Sequence, residues 1–260
     1  MQVHLVQLDI VWEDKQANHA RVRSLLESAP LSPGDLIVLP ELFDVGFTLN
    51  TKAANDQDGT TLAFLHDLAD SSGCLIHGSR ALHDPDSGKS HNCVTVTAPG
   101  DASINCQYAK VHPFSYGRES DAYTGGNELT HYGWNSGDDR LQICPAICYD
   151  LRFPELFRLG AKQGAQAFAL GANWPAPRTA HWRALCIARA IENQAYIFAV
   201  NRTGNDPYLT YSGSSIIVDP KGEIIGELGD EEAVLSAKVD PNAVNEWRSI
   251  FPALNDMKLI

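Results

Sequence analysis

The feature that most constrains this chain is an alternation: short apolar runs of strand length follow one another, and stretches with helical spacing fall between them. Val3 to Ile10, Leu36 to Leu39, Leu75 to Ser79, Asn92 to Thr97, Ile104 to Tyr108, Leu141 to Ile147, Ala167 to Leu170, Tyr196 to Asn201 and Leu235 to Val239 read as strands. Asp14 to Ala29, Thr60 to Ala69, Glu155 to Lys162 and Ala180 to Gln194 read as helices. Pro30 ends the first, and Pro154 opens the third, where a missing N–H costs nothing. A hairpin is expected for Ser215 to Val218 and Glu223 to Ile225. Strands interleaved with helices imply an α/β fold with sheets covered by helices. At 260 residues and 44% hydrophobic, with no polar linker, the chain is expected to form a single domain over 1–260.

What stands at the exits of these strands carries the chemistry. Glu41 follows Leu36 to Leu39, Lys110 follows Ile104 to Tyr108, and Cys148 follows Leu141 to Ile147. In α/β proteins such positions gather at one rim, where sites form. Each residue alone has an ordinary reading, since most Glu and Lys are solvated and a lone Cys is usually buried packing. Glu41 lies between Pro40 and Leu42-Phe43, which argues that it is inside, where a desolvated carboxylate is a stronger base. At the strand-to-helix corner of Cys148, backbone N–H groups are expected to favour the thiolate. Val111 to Arg140 has no periodicity and is expected to be a long functional loop; Glu119 lies in it.

Composition excludes other classes. A net charge of -12 leaves no basic footprint for nucleic acid, and no Lys/Arg-rich amphipathic stretch suggests a membrane surface. No run is long enough to span a bilayer, and the N-terminus reads as a strand rather than a signal peptide. The expected partner is a small molecule. Six scattered cysteines fit free thiols in a reducing cytoplasm. Cys144 and Cys148 share a strand face, but no C-x-x-C or H-x-x-x-H accompanies them, so no metal is expected. Thr124 to Asn127 is a turn without the strand and helix of a nucleotide fingerprint, so no cofactor is expected either. His112 or His181 would be the base of a papain-like pair with Cys148, though the local signature of such proteases is absent.

Three segments, LPELF around Glu41, YAKVHPF around Lys110 and ICYDLRFPELFR around Cys148, resemble the nitrilase superfamily of carbon-nitrogen hydrolases in the same order. GANWPAPR, HWRALCIARAIENQAY, NRTG, SGSSIIVDPKGEII and RSIFPALND extend the resemblance over essentially the whole chain, which is most similar to the bacterial omega-amidase branch. The resemblance implies a four-layer αββα sandwich and a Glu41-Lys110-Cys148 triad, with Glu119 as the second glutamate of many members. It also implies a homodimer paired through helices matching Arg152 to Arg158 and Trp182 to Asn193. Tyr149 stands where nitrilases usually carry Trp, which favours amides over nitriles. The implied substrate is a short dicarboxylate monoamide such as alpha-ketoglutaramate or succinamate. An N-carbamoyl amino acid or another linear amide is the alternative, and an inactive binding member is the non-enzymatic one.

The chemistry agrees with that implication. A Cys148 thioester splits amide hydrolysis into two easier steps. Glu41 would take the thiol proton, hand it to ammonia, and then activate water. Lys110 and the backbone N–H of Tyr149 would hold the oxyanion, and Glu119 would orient the amide or Lys110. Tyr149, Trp174, Phe43 and Arg178 flank the motifs and are the candidates for substrate binding. Arg178 is chosen for a distal carboxylate because a guanidinium fork fits one, with a structural ion pair as the alternative.

Overall fold

A computed structural model describes residues 1–259, so of the span 1–260 only Ile260 lies outside the described residues. The first half of the chain runs β1 (Gln2–Gln7), α1 (Lys15–Leu26), β2 (Leu36–Val38), α2 (Thr51–Ala54), α3 (Thr60–Ser72), β3 (Leu75–His83), β4 (Ser90–Thr97) and β5 (Cys106–Ala109). The second half runs α4 (Glu119–Ala122), β6 (Tyr132–Ser136), β7 (Asp139–Ile147), α5 (Pro154–Lys162), β8 (Ala167–Ala172), α6 (Thr179–Asn193) and β9 (Tyr196–Asn201). Then follow β10 (Thr203–Asn205), β11 (Thr210–Ser212), β12 (Ile216–Val218), β13 (Ile224–Glu227), β14 (Ala233–Lys238) and α7 (Asn242–Ile250).

Two six-stranded sheets result, ordered β14-β1-β2-β3-β4-β5 and β13-β12-β9-β8-β7-β6, with β10 and β11 paired apart from both. β14 returns from the end of the chain to lie antiparallel to β1. Because strand side chains alternate faces, one strand feeds two cores. Val3 and Leu5 of β1 and Leu36 and Val38 of β2 pack with Ile143, Phe168 and Phe198 of the opposite sheet. Their neighbours Val6 and Ile37 turn outward onto Val22, Leu26, Phe64 and Leu65 of α1 and α3. On the far side α5 and α6 bring Phe157, Trp182 and Ala190 against the second sheet. The layers are therefore helix, sheet, sheet, helix. Each fully buried side chain of this size contributes about 1.5–3 kcal/mol to holding them together.

Several boundaries differ from the sequence reading. α1 is capped by Asp14, which accepts from Ala17 N at 3.0 Å, but it ends at Leu26 rather than Ala29. α3 runs on to Ser72, where Gly73 takes the left-handed conformation that ends helices. Within the stretch read as one long loop lies β6. Its inward residues Tyr132 and Trp134 alternate with Gly133 and Asn135, too few to register as periodicity, and Trp134 Nε1 anchors it to Gly34 O at 2.8 Å. The β10-β11 hairpin and α7 were likewise not read from the pattern.

Candidate active site

Glu41 lies just past β2, Lys110 just past β5, Cys148 just past β7 and Asn173 just past β8, so four strand exits converge. A close approach of the two sheets makes this possible. A Cβ at Gly171 would sit 2.6 Å from Leu39 O and 2.9 Å from Glu41 N, so only glycine lets β8 lie against the segment carrying Glu41.

Glu41 is fully buried, and donors rather than apolar neighbours meet its carboxylate. Oε1 accepts from Lys110 Nζ at 2.7 Å and Asn92 Nδ2 at 2.8 Å; Oε2 accepts from Asn173 N at 3.0 Å and Nδ2 at 3.3 Å. Lys110 Nζ also donates to Glu119 Oε1 at 3.0 Å and Oε2 at 2.8 Å. Glu119 is pinned in turn by Phe114 N at 2.5 Å. Burial opposes the Lys110 charge, but Glu119 and Glu41 outweigh it and hold the ammonium well above its usual range. Glu119 is raised by burial, against the pull of Lys110.

Cys148 opens a 3-10 turn, Cys148–Arg152, at φ 45, a backbone region that side chains rarely adopt. The buried carboxylate of Asp150 holds this turn: Oδ2 accepts from Ile147 N at 3.0 Å and Tyr108 Oη at 2.7 Å, and Oδ1 accepts from His112 N at 3.0 Å. The turn is thereby fixed to the strand that delivers Lys110. The sequence reading expected backbone N–H groups to favour a thiolate here. Instead, burial and then the Glu41 carboxylate push the Cys148 thiol well above its ordinary value, with Lys110 opposing, so the resting sulfur keeps its proton. His112 Nδ1 contacts Asp150 Oδ1 at 2.8 Å and its ring stacks on Phe153, while His181 contacts Arg152 at 3.3 Å. A papain-like pair is thus not formed by either histidine.

Two cavities meet at Cys148 and share Phe114, Asn173 and Pro175. One is a narrow cleft lined by Tyr149, Trp174, Arg152 and Arg178. The other, of about 570 Å³, is walled by Trp12, Phe47, Tyr208 and Tyr211. The structure therefore brings Tyr149, Trp174 and Arg178 to the site but not Phe43. The chain reverses at Leu42, φ 43, and carries Phe43 into the outer core against His19 and Phe64, with no exposed surface. Sequence reasoning missed Asn92, Asn173, Asp150 and Arg152. Asn173 stands at a strand exit and was open to the rule that found the triad; Asn92 lies within β4 and gave no such signal.

Comparison with known proteins agrees with this geometry. The carbon-nitrogen hydrolase family profile matches residues 2–249. The chain belongs to the carbon-nitrogen hydrolase family. An omega-amidase of Yersinia enterocolitica, YafV, is 36% identical over 258 residues, 98% of this chain and 96% of that protein. A 2-oxoglutaramate amidase of Bacillus subtilis is 32% identical over 98% of this chain and 97% of its own length. Among solved structures, XC1258 from Xanthomonas campestris, a CN-hydrolase superfamily protein with an arsenic adduct in its active site, superposes with a TM-score of 0.91. It is 33% identical, over 100% of this chain and 98% of that one. As a carbon-nitrogen hydrolase this chain is an enzyme acting on amides, and its four layers are those of the nitrilase superfamily.

Proposed function

We propose that this hydrolase cleaves the terminal amide of a small carboxylate-bearing substrate, of the alpha-ketoglutaramate or succinamate kind, through a Cys148 thioester. The observation that carries the reading is in the narrow cleft. Arg152 lies over the Trp174 ring at 4.8 Å and contacts His181, Arg178 lies over the Phe114 ring at 5.6 Å, and neither guanidinium has a carboxylate partner among the described residues. Two unpaired guanidinium groups beside a nucleophile suit a distal carboxylate. The omega-amidase and 2-oxoglutaramate amidase relatives, by their names, act on substrates of this class.

In the first step Sγ attacks the amide carbon while Glu41 takes the thiol proton. Lys110 and the Tyr149 N–H, which lies in the first turn after Cys148, stabilise the oxyanion. Lys110 can turn a hydrogen to it because Glu119 holds two of its contacts. The C–N bond then breaks, Glu41 returns the proton to nitrogen, and water activated by the same carboxylate opens the thioester. We further propose that the enzyme works as a homodimer in the cytoplasm, where its free cysteines would persist.

The test compares kcat/KM for alpha-ketoglutaramate, succinamate, butyramide and an N-carbamoyl amino acid. Succinamate or alpha-ketoglutaramate should lead. Arg152→Gln or Arg178→Gln should raise KM for these by about tenfold or more, the value of a charged hydrogen bond, and leave butyramide unchanged. A preference for butyramide or the carbamoyl compound would overturn the carboxylate reading and leave the triad chemistry standing.

A further inference from the structure

The large cavity is not needed by a small monoamide whose carboxylate lies in the Arg152-Arg178 cleft. About 570 Å³ is the volume of cavities that enclose ligands much bigger than succinamate. Two substituents on a carbonyl carbon diverge, so when the acyl chain runs from Cys148 into the cleft, the amide nitrogen faces away from it, toward this cavity.

Its lining is one-sided in charge. Glu13 and Asp206 are the ionisable carboxylates there, and no Lys, Arg or His lines it. Only neutral donors satisfy both groups: Glu13 accepts from Thr48 Oγ1 at 2.6 Å and Asn50 Nδ2 at 3.1 Å, and Asp206 accepts from Tyr208 N and Leu209 N at 2.7 Å and from Tyr211 Oη at 2.6 Å. Two cations stand behind the walls and both are engaged: Arg202, 4.5 Å from the Tyr211 ring centre, by Asp9 Oδ1 at 3.2 Å and by backbone carbonyls, and Lys110, 5.7 Å from the Phe47 ring centre, by Glu41 and Glu119. The rings of Trp12, Phe47, Tyr208 and Tyr211 complete apolar walls that suit the alkyl stem of a cationic amine.

Asn173 supplies an independent sign of a ligand. It is 5% exposed and lines both cavities, yet its Oδ1 has no hydrogen-bond partner. Its orientation is unambiguous, because the other end of the amide meets two acceptors, Glu41 O at 2.6 Å and Glu41 Oε2 at 3.3 Å, and must be Nδ2. A buried acceptor left empty beside the nucleophile is costly unless a substrate N–H fills it.

From these observations we infer that the enzyme also hydrolyses secondary amides, whose nitrogen carries a cationic alkyl amine seated in the large cavity. Asn173 Oδ1 accepts the one remaining amide N–H, and the substituent extends between the aromatic walls toward Glu13 and Asp206. The reaction balances as for ammonia. The C–S bond forms, the C–N bond breaks, the thiol proton passes through Glu41 to nitrogen, the amine leaves, and water then releases the acid. This inference rests on the acyl end lying in the cleft, as the proposed function has it.

The experiment gives the full chain succinamate and its N-butyl, N-aminobutyl and N-carboxypropyl derivatives, and follows amine and succinate together. The aminobutyl compound should exceed the carboxypropyl compound in kcat/KM by at least about tenfold, with butyl between, as expected for an unscreened charge contact. Glu13→Gln and Asp206→Asn each keep one acceptor oxygen and the side chain's shape while removing the charge, so each should narrow that ratio. Should either variant fail to fold, the ratio on the unaltered chain still decides. Turnover of succinamate with none of the three derivatives cleaved, or a preference for the anionic one, overturns the inference and spares the proposed function. Cleavage of the aminobutyl compound without that of succinamate supports the inference and removes the primary-amide reading, while turnover of none overturns both.

Discussion

Replacing Lys110 by Met removes the cation that faces the buried carboxylates of Glu41 and Glu119. Lys110 Nζ lies 2.7 Å from Glu41 Oε1 and 2.8 Å from Glu119 Oε2, and all three side chains are at most 1% exposed. Taking one partner from a buried ionic network costs about 3–5 kcal/mol. For a domain of this size about 2–4 °C accompanies each kcal/mol, so the unfolding temperature should fall by on the order of 10 °C. The loss should also depend on pH. Glu119 is already held above the usual carboxylate range by burial, against Lys110, and without the ammonium it moves further up. An acid whose folded value is raised keeps its proton where the unfolded chain releases it, so stability falls as pH rises, by about 1.4 kcal/mol per unit and per proton. Lys110 itself, raised well above its ordinary value, contributes stability that is complete below its unfolded value and fades only at alkaline pH. The gap between variant and unaltered protein should therefore widen as pH rises above the ordinary carboxylate value. Thermal unfolding followed by circular dichroism at several pH values reads the stability. Succinamate turnover reads the second consequence, a loss of at least about a hundredfold in kcat for one missing oxyanion donor. Equal melting at all of these pH values together with near-normal turnover would refute the reasoning.

Cys148→Ala should fold and be inactive, and appreciable amide turnover by it would remove the nucleophile assignment. Iodoacetamide should label Cys148 before the other cysteines because it alone of them lines the cavities, with a rate that keeps climbing into the alkaline range, since burial and Glu41 hold the thiol well above its ordinary value; a plateau at neutral pH would contradict this. Glu41→Gln should suppress both acylation and deacylation, measured as the burst and steady phases of amide turnover, because one carboxylate serves both proton transfers. Light scattering at micromolar concentration should report a two-fold dimer burying the exposed Leu159 and Ile191 of α5 and α6, and a monomer alone would exclude it.

Much of the site was legible because strand exits are legible. An apolar run ended by a polar residue marks the rim, and Glu41, Lys110 and Cys148 were each placed by that rule. Applied to Ala167 to Leu170, the rule would have led on to Asn173, but the large aromatic Trp174 drew the choice instead. Phe43 was misplaced for a related reason. Hydrophobicity says that a residue is buried, not on which side of a sheet, and the left-handed turn at Leu42 that sends Phe43 to the helices has no glycine to announce it. Arg152 was hidden because the role proposed for it depends on lacking a carboxylate partner, which is a property of three-dimensional neighbours. The walls of the large cavity come from Trp12, Phe47 and Tyr208, which no local pattern joins. β6 stayed hidden because two inward aromatics among five residues fall short of a period.

The raised thiol is at odds with nucleophilic catalysis only if the thiolate must be present before the substrate. At rest the buried set holds the Lys110 ammonium, two carboxylates and a neutral thiol. In the proposed attack by Sγ, the thiol proton moves to Glu41 and a negative charge forms on the amide oxygen. One carboxylate is neutralised as one oxyanion appears, so the net charge of the enclosed set is unchanged. Moving an uncompensated charge in or out of such a site would cost several kcal/mol. Here the charge is relocated, from Glu41 to the oxyanion, with Lys110 in contact with the first and free to swing a donor from Glu119 toward the second. That makes Glu119 the counter-charge that stays fixed, which is why a second glutamate on the same ammonium matters: it lets Lys110 change partners without ever losing one.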